Sequence, residues 1–355
     1  MKKVLVVLLA LVMLMAQVAI AESASPLAGL AVREDGTPMK LGYIMNETGS
    51  GWMATSYGYT KALWENAGGE FVGYVSDYDS EFEADSIDQL MELGVDAILV
   101  HPGDSYAIAP KVAQAMDAGF PVFAVDMGVE GADVISYVHQ NQYNAGQACA
   151  EGVIAAFSDE NPANVLIIAG GLEQNGAQQR QAGFLDTVDG IDYINVVYTV
   201  EASWSSDAAF DGIMTMFESN PEINCIFTHS DIMMQGIIEG LRTKGLLFKR
   251  GEEGHIFLAS IDGDELGLST MMDGYMDVNG ELNSAMHSVV VINAILAYLH
   301  GFEVPADILL DTVLITEENM NDDARWGTLG QKFGDFANWP VLAQDYLDAA
   351  ALIAG

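Results

Sequence analysis

The chain predicts an α/β fold of two similar, successive doubly wound parallel sheets, and three observations carry that reading. Short apolar runs recur about every 25 residues: LGYIMN (41–46), FVGYVS (71–76), DAILVH (96–101) and PVFAVD (121–126). Amphipathic stretches such as SIDQLMELG and SYAIAPKVAQAMDAG separate them, the latter ending on a glycine suited to a helix C-terminus. Strand and helix in alternation is the βαβ pattern of a parallel sheet covered on both faces. The rhythm restarts after residue 140 with NVLIIAG (164–170), INVVYT (194–199), NCIFT (224–228) and HIFLASID (255–262), which calls for a second sheet. Finally, 355 residues suffice for two cores at about 150 residues each.

The remaining stretches fit around these repeats. A strand-like piece, YMDVNGE (275–281), precedes a long helical stretch, SAMHSVVVINAILAYLHG (284–301). From Asp322 the chain carries three glycines and two tryptophans before a helix expected to start at Pro340. At the other end, MKKVLVVLLALVMLMAQVAIA has the layout of an export signal: two lysines, an apolar run from Val4 to Ala16 and small residues at Ala19 and Ala21. The run is short for a membrane span of about 20 residues, so cleavage after Ala21 is expected rather than anchoring. No cysteine stands near that point to take a lipid. The two cysteines, Cys149 in a helix-like stretch and Cys225 in a strand-like one, are compatible with two buried thiols or with a bridge.

Charge narrows the function. Loss of Lys2 and Lys3 with the leader takes the formal charge from −38 to −40, and the few remaining basic residues leave no phosphate-binding patch for nucleic acid. Half of the residues are hydrophobic, so the acidity reads as solubility rather than disorder.

In open parallel sheets a ligand sits beyond the carboxyl ends of the strands. The residues there run from Glu47 to Met53, then His101, Asp126, Met127, Arg180, Trp204, Ser230, Asp231, Asp262 and Glu281. Several familiar chemistries fail on these positions. GSGWMA (49–54) has the letters of a dinucleotide fingerprint, yet Trp52 follows its second glycine and the first acid past the second strand, Asp77, comes too late. GLEQNGAQ (171–178) lacks the lysine and hydroxyl of a phosphate loop. The six histidines show no metal spacing, and no G-x-S-x-G elbow occurs, so no cofactor, metal or catalytic residue is expected. Asp126, Asp262 and Glu281 could converge as glycosidase acids, or equally as acceptors for sugar hydroxyls.

GVDAILVHPGD (94–104), FPVFAVDM (120–127), QQRQAGF (178–184) and ASIDGDELG (259–267) follow in an order and spacing that resembles the periplasmic sugar-binding proteins of the ribose-binding type, the solute receptors of ABC transporters. The resemblance runs from about Leu41 to about Met320. It implies two lobes joined by a three-stranded hinge with the ligand in the interlobe cleft. Residues 40–139 plus 283–310 would form the N-terminal lobe, 140–282 plus 311–321 the C-terminal lobe and 322–355 a C-terminal extension. It also implies roles for single residues. Trp52 and Met53 match the aromatic pair of the first loop, Ser50 a polar contact, Asp126 and Asp262 the hydroxyl-accepting aspartates, Arg180 the second-lobe arginine and Trp204 a stacking ring. His101 belongs to the same ligand-binding set. Glu281 stands where the family has glutamine, Ser230 where it often has asparagine, and Met127 where the ribose pattern has arginine.

The chemistry agrees. Carboxylates accept two hydroxyls at once, an arginine donates in a fixed fork, and tryptophan covers the C–H face of a sugar. A neutral monosaccharide or polyol is the expected ligand, an amino sugar being compatible, and the partner is an ABC permease in the inner membrane served by a periplasmic monomer without a lipid anchor. Asp231 is expected to cap the helix that follows it. The rivals are an exported carbohydrate-active enzyme and a sensor feeding a chemoreceptor or kinase.

Overall fold

In the computed structural model, which describes residues 25–341 apart from Pro221 and Ala324, together with Ile353, the apolar runs become strands, and those inside the sheets are buried on both faces. In β1 (Lys40–Met45), Leu41, Tyr43 and Met45 enter one apolar cluster and Ile44 the opposite one. In β6 (Ala163–Ala169), Val165, Ile167 and Ala169 face one cluster while Leu166 and Ile168 face another. Side chains alternate along a strand, so only a strand covered on both sides needs every residue apolar.

One sheet runs β2 (Glu70–Val75), β1, β3 (Ala97–His101), β4 (Val122–Val125), β5 (Ser136–Gln140), β11 (Asp307–Leu310), all parallel. The other runs β7 (Ile194–Glu201), β6, β8 (Cys225–Thr228), β9 (Phe257–Asp262), β10 (Val278–Glu281), with β12 (Val313–Ile315) antiparallel on its edge. Helices α1 (Gly51–Asn66) and α9 (Ser284–Leu299) cover one face of the first sheet, and α2 (Ser80–Glu92) and α3 (Ala109–Asp117) the other. On the second sheet, α4 (Gln142–Ala156) and α5 (Asn175–Val188) lie opposite α6 (Ser206–Ser219), α7 (Met234–Lys244) and α8 (Glu265–Met272). The result is two doubly wound lobes of the same winding. The chain passes between them three times, after β5, after β10 and between β11 and β12.

Sequence and structure differ at the edges. The expected strand over 275–281 forms only at Val278–Glu281, and the helix expected over 284–301 ends at Leu299. Strands β5, β11 and β12 carry at most three consecutive apolar residues. Each is short, and the burial of β5 and β11 alternates residue by residue, as it does for strands covered on one side. Both cysteines are free and buried. The Cys149 thiol donates to the Ser260 carbonyl at 3.0 Å, and burial pushes it up to about 12. The leader lies outside the described residues, as does the helix expected from Pro340 except for Pro340 and Val341, which are not helical, and Ile353, which is. Among the described residues no helix is long and apolar enough to cross a membrane.

Candidate functional site

Loops leaving the carboxyl ends of the strands hold the candidate residues in uncommon backbone conformations. Six non-glycine residues with positive φ occur among the described residues, and Asp126 (56°), Trp204 (62°) and Asp262 (113°) are three of them. Such conformations are disfavoured for residues with a Cβ and persist where surrounding contacts impose them, which is frequent at binding sites.

In the first lobe, Asp126 follows β4 directly and His101 ends β3. His101 is fully buried, and its Nε2 stands 3.3 Å from Asp126 Oδ2 without the alignment of a hydrogen bond. Among the described residues neither of its ring nitrogens has a hydrogen-bond partner. Burial works to raise the Asp126 carboxyl, but His101 beside it, with His287 and Arg180 further off, brings it below the usual carboxylate range. Trp52, in the first turn of α1, is buried edge-on to His101 and donates Nε1–H to the Leu282 carbonyl at 2.8 Å, in the passage after β10. Ser50 caps α1, its hydroxyl accepting from the Met53 N–H at 3.1 Å. Met53, in the first turn of α1, and Met127, next to Asp126, are half-buried.

The second lobe gathers Arg180, Trp204, Ser230 and Asp262. Arg180 is placed by an unusually close helix crossing. A Cβ on Gly146 of α4 would lie 2.0 Å from the Arg180 carbonyl, and one on Gly183 of α5 would lie 2.0 Å from the Tyr143 carbonyl, so only glycine permits this approach. From there the guanidinium donates Nε–H to Gln142 Oε1 at 2.7 Å and Nη1–H to the His229 carbonyl. It also stands 3.3 Å from Asp262 Oδ1 and 5.4 Å from the Trp204 ring centroid. Ser230 donates to the other Asp262 oxygen at 2.5 Å. Burial raises the Asp262 carboxyl, with Arg180 and Ser230 opposing. Trp204 is held by Nε1–H to Gln174 Oε1 at 2.6 Å.

One expectation needs revision. Asp231 caps no helix: Ser230 does, accepting from the Ile232 N–H. Asp231 is instead a buried knot that accepts from Ser260, Asn279 and the N–H groups of Gly263 and Asp264, fixing the loop after β9. Glu281, which stands where the family has glutamine, is paired: Arg325 from the C-terminal segment donates to its Oε2. Arg325 and Trp326, which donates Nε1–H to the Asp262 carbonyl at 2.9 Å, had not been anticipated. One signal was available for Arg325: a buried Glu281 requires a cation, and this chain has few. Gln142 and Gln174, which tie down Arg180 and Trp204, carried no sequence signal.

The two halves meet. Trp52 reaches the passage after β10, and a Cβ on Gly51 would lie 3.3 Å from Asp264 Oδ2. Residues 41–298 match the model of the periplasmic binding protein domain. The chain belongs to the periplasmic binding protein family. A xylitol-binding protein of Mycolicibacterium smegmatis is 27% identical over 71% of this chain and 70% of its own length. The ribose import binding protein RbsB of Bacillus subtilis is 23% identical over 68% of this chain and 75% of its own. Among solved structures, the ABC transporter periplasmic solute binding protein of Actinobacillus succinogenes with bound D-allose superposes with a TM-score of 0.73 at 21% identity, covering 80% of this chain and 99% of that one. These relatives are named as binding proteins.

For this periplasmic binding protein, the cluster offers carboxylate acceptors, a fixed guanidinium and two indoles, the groups that grip hydroxyls and C–H faces. Among the described residues no group of three or more His, Cys, Asp or Glu is placed to hold a metal ion.

Proposed function

We propose that this chain is the solute receptor of an ABC importer, closing its two lobes on a monosaccharide or polyol and delivering it to a membrane permease. One observation carries the reading: each lobe aims an aspartate in a strained conformation, an imidazole or guanidinium beside it and a tryptophan from its strand ends, so that two half-sites face each other. The names of the relatives support it, since they include receptors for xylitol and ribose. Ser50, Trp52, Met53, His101, Asp126 and Met127 form the first half-site; Arg180, Trp204, Ser230, Asp262 and Glu281 form the second.

The lobes divide at 40–139 plus 283–310 against 140–282 plus 311–321, with 322–355 as an extension. The protein works in the periplasm as a monomer after removal of residues 1–21, and carries out no chemistry on its ligand. A permease that recognises the closed form couples capture to delivery. The test is to unfold and refold the mature protein, removing co-purified ligand, and to screen pentoses, hexoses, polyols and amino sugars by thermal shift. A ligand at 100 times its Kd should stabilise by about 2.7 kcal/mol. Turnover of a glycoside, or no shift with any of these compounds, would overturn the proposal.

A further inference from the structure

The C-terminal segment is built into the cleft. It leaves the second lobe after β12, where Arg325 donates Nη1–H to Glu281 Oε2 and Nε–H to the Asn319 carbonyl at 3.3 Å, with Nη2 3.5 Å from Asp322 Oδ2. Trp326 then binds the Asp262 carbonyl, and Gly327 lies so close to the next loop that a Cβ would stand 2.5 Å from the Gly263 carbonyl oxygen. Further on, the segment reaches the first lobe. Phe336 packs over Gly58, Tyr59 donates to the Pro340 carbonyl at 2.6 Å, and Asn66 donates to the Ala337 carbonyl at 3.2 Å.

Two consecutive residues of the segment therefore hold the two strand ends that bear Asp262 and Glu281, which are paired neighbours in the β9–β10 ladder. Both carboxylates are nearly inaccessible, at 6% and 3% exposure. Burial pushes Glu281 up to about 7, and Arg325 is the largest influence opposing it. An unpaired carboxylate at this depth would attract a cation or take up a proton.

We propose that Arg325 is a specificity-determining residue of the cleft: by pairing with Glu281 it cancels that charge and tunes the second half-site to uncharged polyhydroxylated ligands in preference to cationic ones. The inference rests on the carbohydrate reading above. It makes the C-terminal segment part of the binding machinery, acting on the ligand through Glu281.

The test uses the full mature protein as wild type, Arg325→Met, Glu281→Gln and the double variant, with calorimetric Kd values for D-galactose, D-ribose and myo-inositol. D-galactosamine and D-galacturonate are then measured relative to the tightest of these neutral probes. Arg325→Met should shift the ratio about tenfold toward galactosamine, and Glu281→Gln, which keeps the size of the side chain, about tenfold toward galacturonate. The double variant should return both ratios to within about threefold of wild type, a rescue that a merely structural role for Arg325 would not produce. Unchanged ratios in Glu281→Gln, or a folded double variant that stays shifted, would overturn the inference alone. A wild type that takes none of the neutral probes would overturn the carbohydrate reading and the inference with it.

Discussion

In the second lobe, Arg180 reaches Gln142, the His229 carbonyl, Asp262 and the face of Trp204, while Ser230 takes the other oxygen of Asp262. In the first lobe, Asp126 faces the imidazole of His101, whose ring nitrogens make no hydrogen bond among the described residues. The two halves stand on equivalent strand ends, yet the aspartate of one is satisfied within its lobe and the aspartate of the other leaves polar capacity open. Buried polar groups need partners, so the first half has the most to gain from ligand hydroxyls, whereas the second is a preset template. Damage to the second should therefore cost stability as well as binding, and damage to the first mainly binding.

The largest effect is expected at Arg180. Arg180→Met leaves Asp262 buried beside Ser230 without its cation, and should lower unfolding free energy by about 3 kcal/mol and abolish measurable ligand binding. Urea denaturation together with calorimetry checks both; a normal urea midpoint would show that the network is not structural.

Asp126→Asn tests the other half. Asparagine tolerates the φ of 56°, so the fold should hold within about 0.5 kcal/mol while ligand affinity falls by about 2 kcal/mol, roughly thirtyfold. Equal loss of stability in the two variants would erase the contrast between the halves.

The pH profile gives a smaller, graded effect. Burial, helped by Arg180, pulls His229 down to about 3, and burial pulls His287 down to about 4 although Asp126 nearby opposes it and His101 and His139 add to it. Both stay neutral in the fold, while the unfolded imidazoles protonate near 6.5. Their contribution is complete above pH 6.5 and falls as the pH drops toward 4, at no more than about 1.4 kcal/mol per pH unit for each proton. Glu281, raised to about 7 by burial, acts in the opposite sense: its contribution is full below 4.5 and is lost as the pH rises through 7. Urea midpoints from pH 4 to 8 should therefore fall off on both sides, and His287→Gln should flatten the acid limb.

The smallest effect belongs to the first loop. Ser50→Ala removes the cap of α1 and should cost about 0.5 to 1 kcal/mol in thermal unfolding. A loss of several kcal/mol would mean that the first half depends on its loop more than its contacts indicate.

Much of the architecture was legible because covered parallel strands must be apolar throughout, and that requirement is written locally in runs such as LGYIMN and NVLIIAG. Strands β5 and β11 escaped, since SYVHQ and DILL are short and are buried only at every second residue. Candidate site residues were legible where position suffices: Asp126, Trp204 and Asp262 stand at strand ends, where open parallel sheets place ligands. Their partners were not. Gln142, Gln174 and Arg325 lie 38, 30 and 44 residues from the groups they hold, and no local pattern encodes such pairings.

What the sequence determined by itself is the doubly wound α/β class, its repetition in two halves, and the strand ends at which chemistry gathers, because periodicity and burial are properties of neighbouring residues. What only the tertiary structure decided is which polar and charged groups answer one another. Arg180 meets Asp262, His101 meets Asp126, and Arg325 returns from the C-terminal segment to Glu281. Electrostatic pairing depends on distance in space and on shared burial, and the folded chain alone sets both.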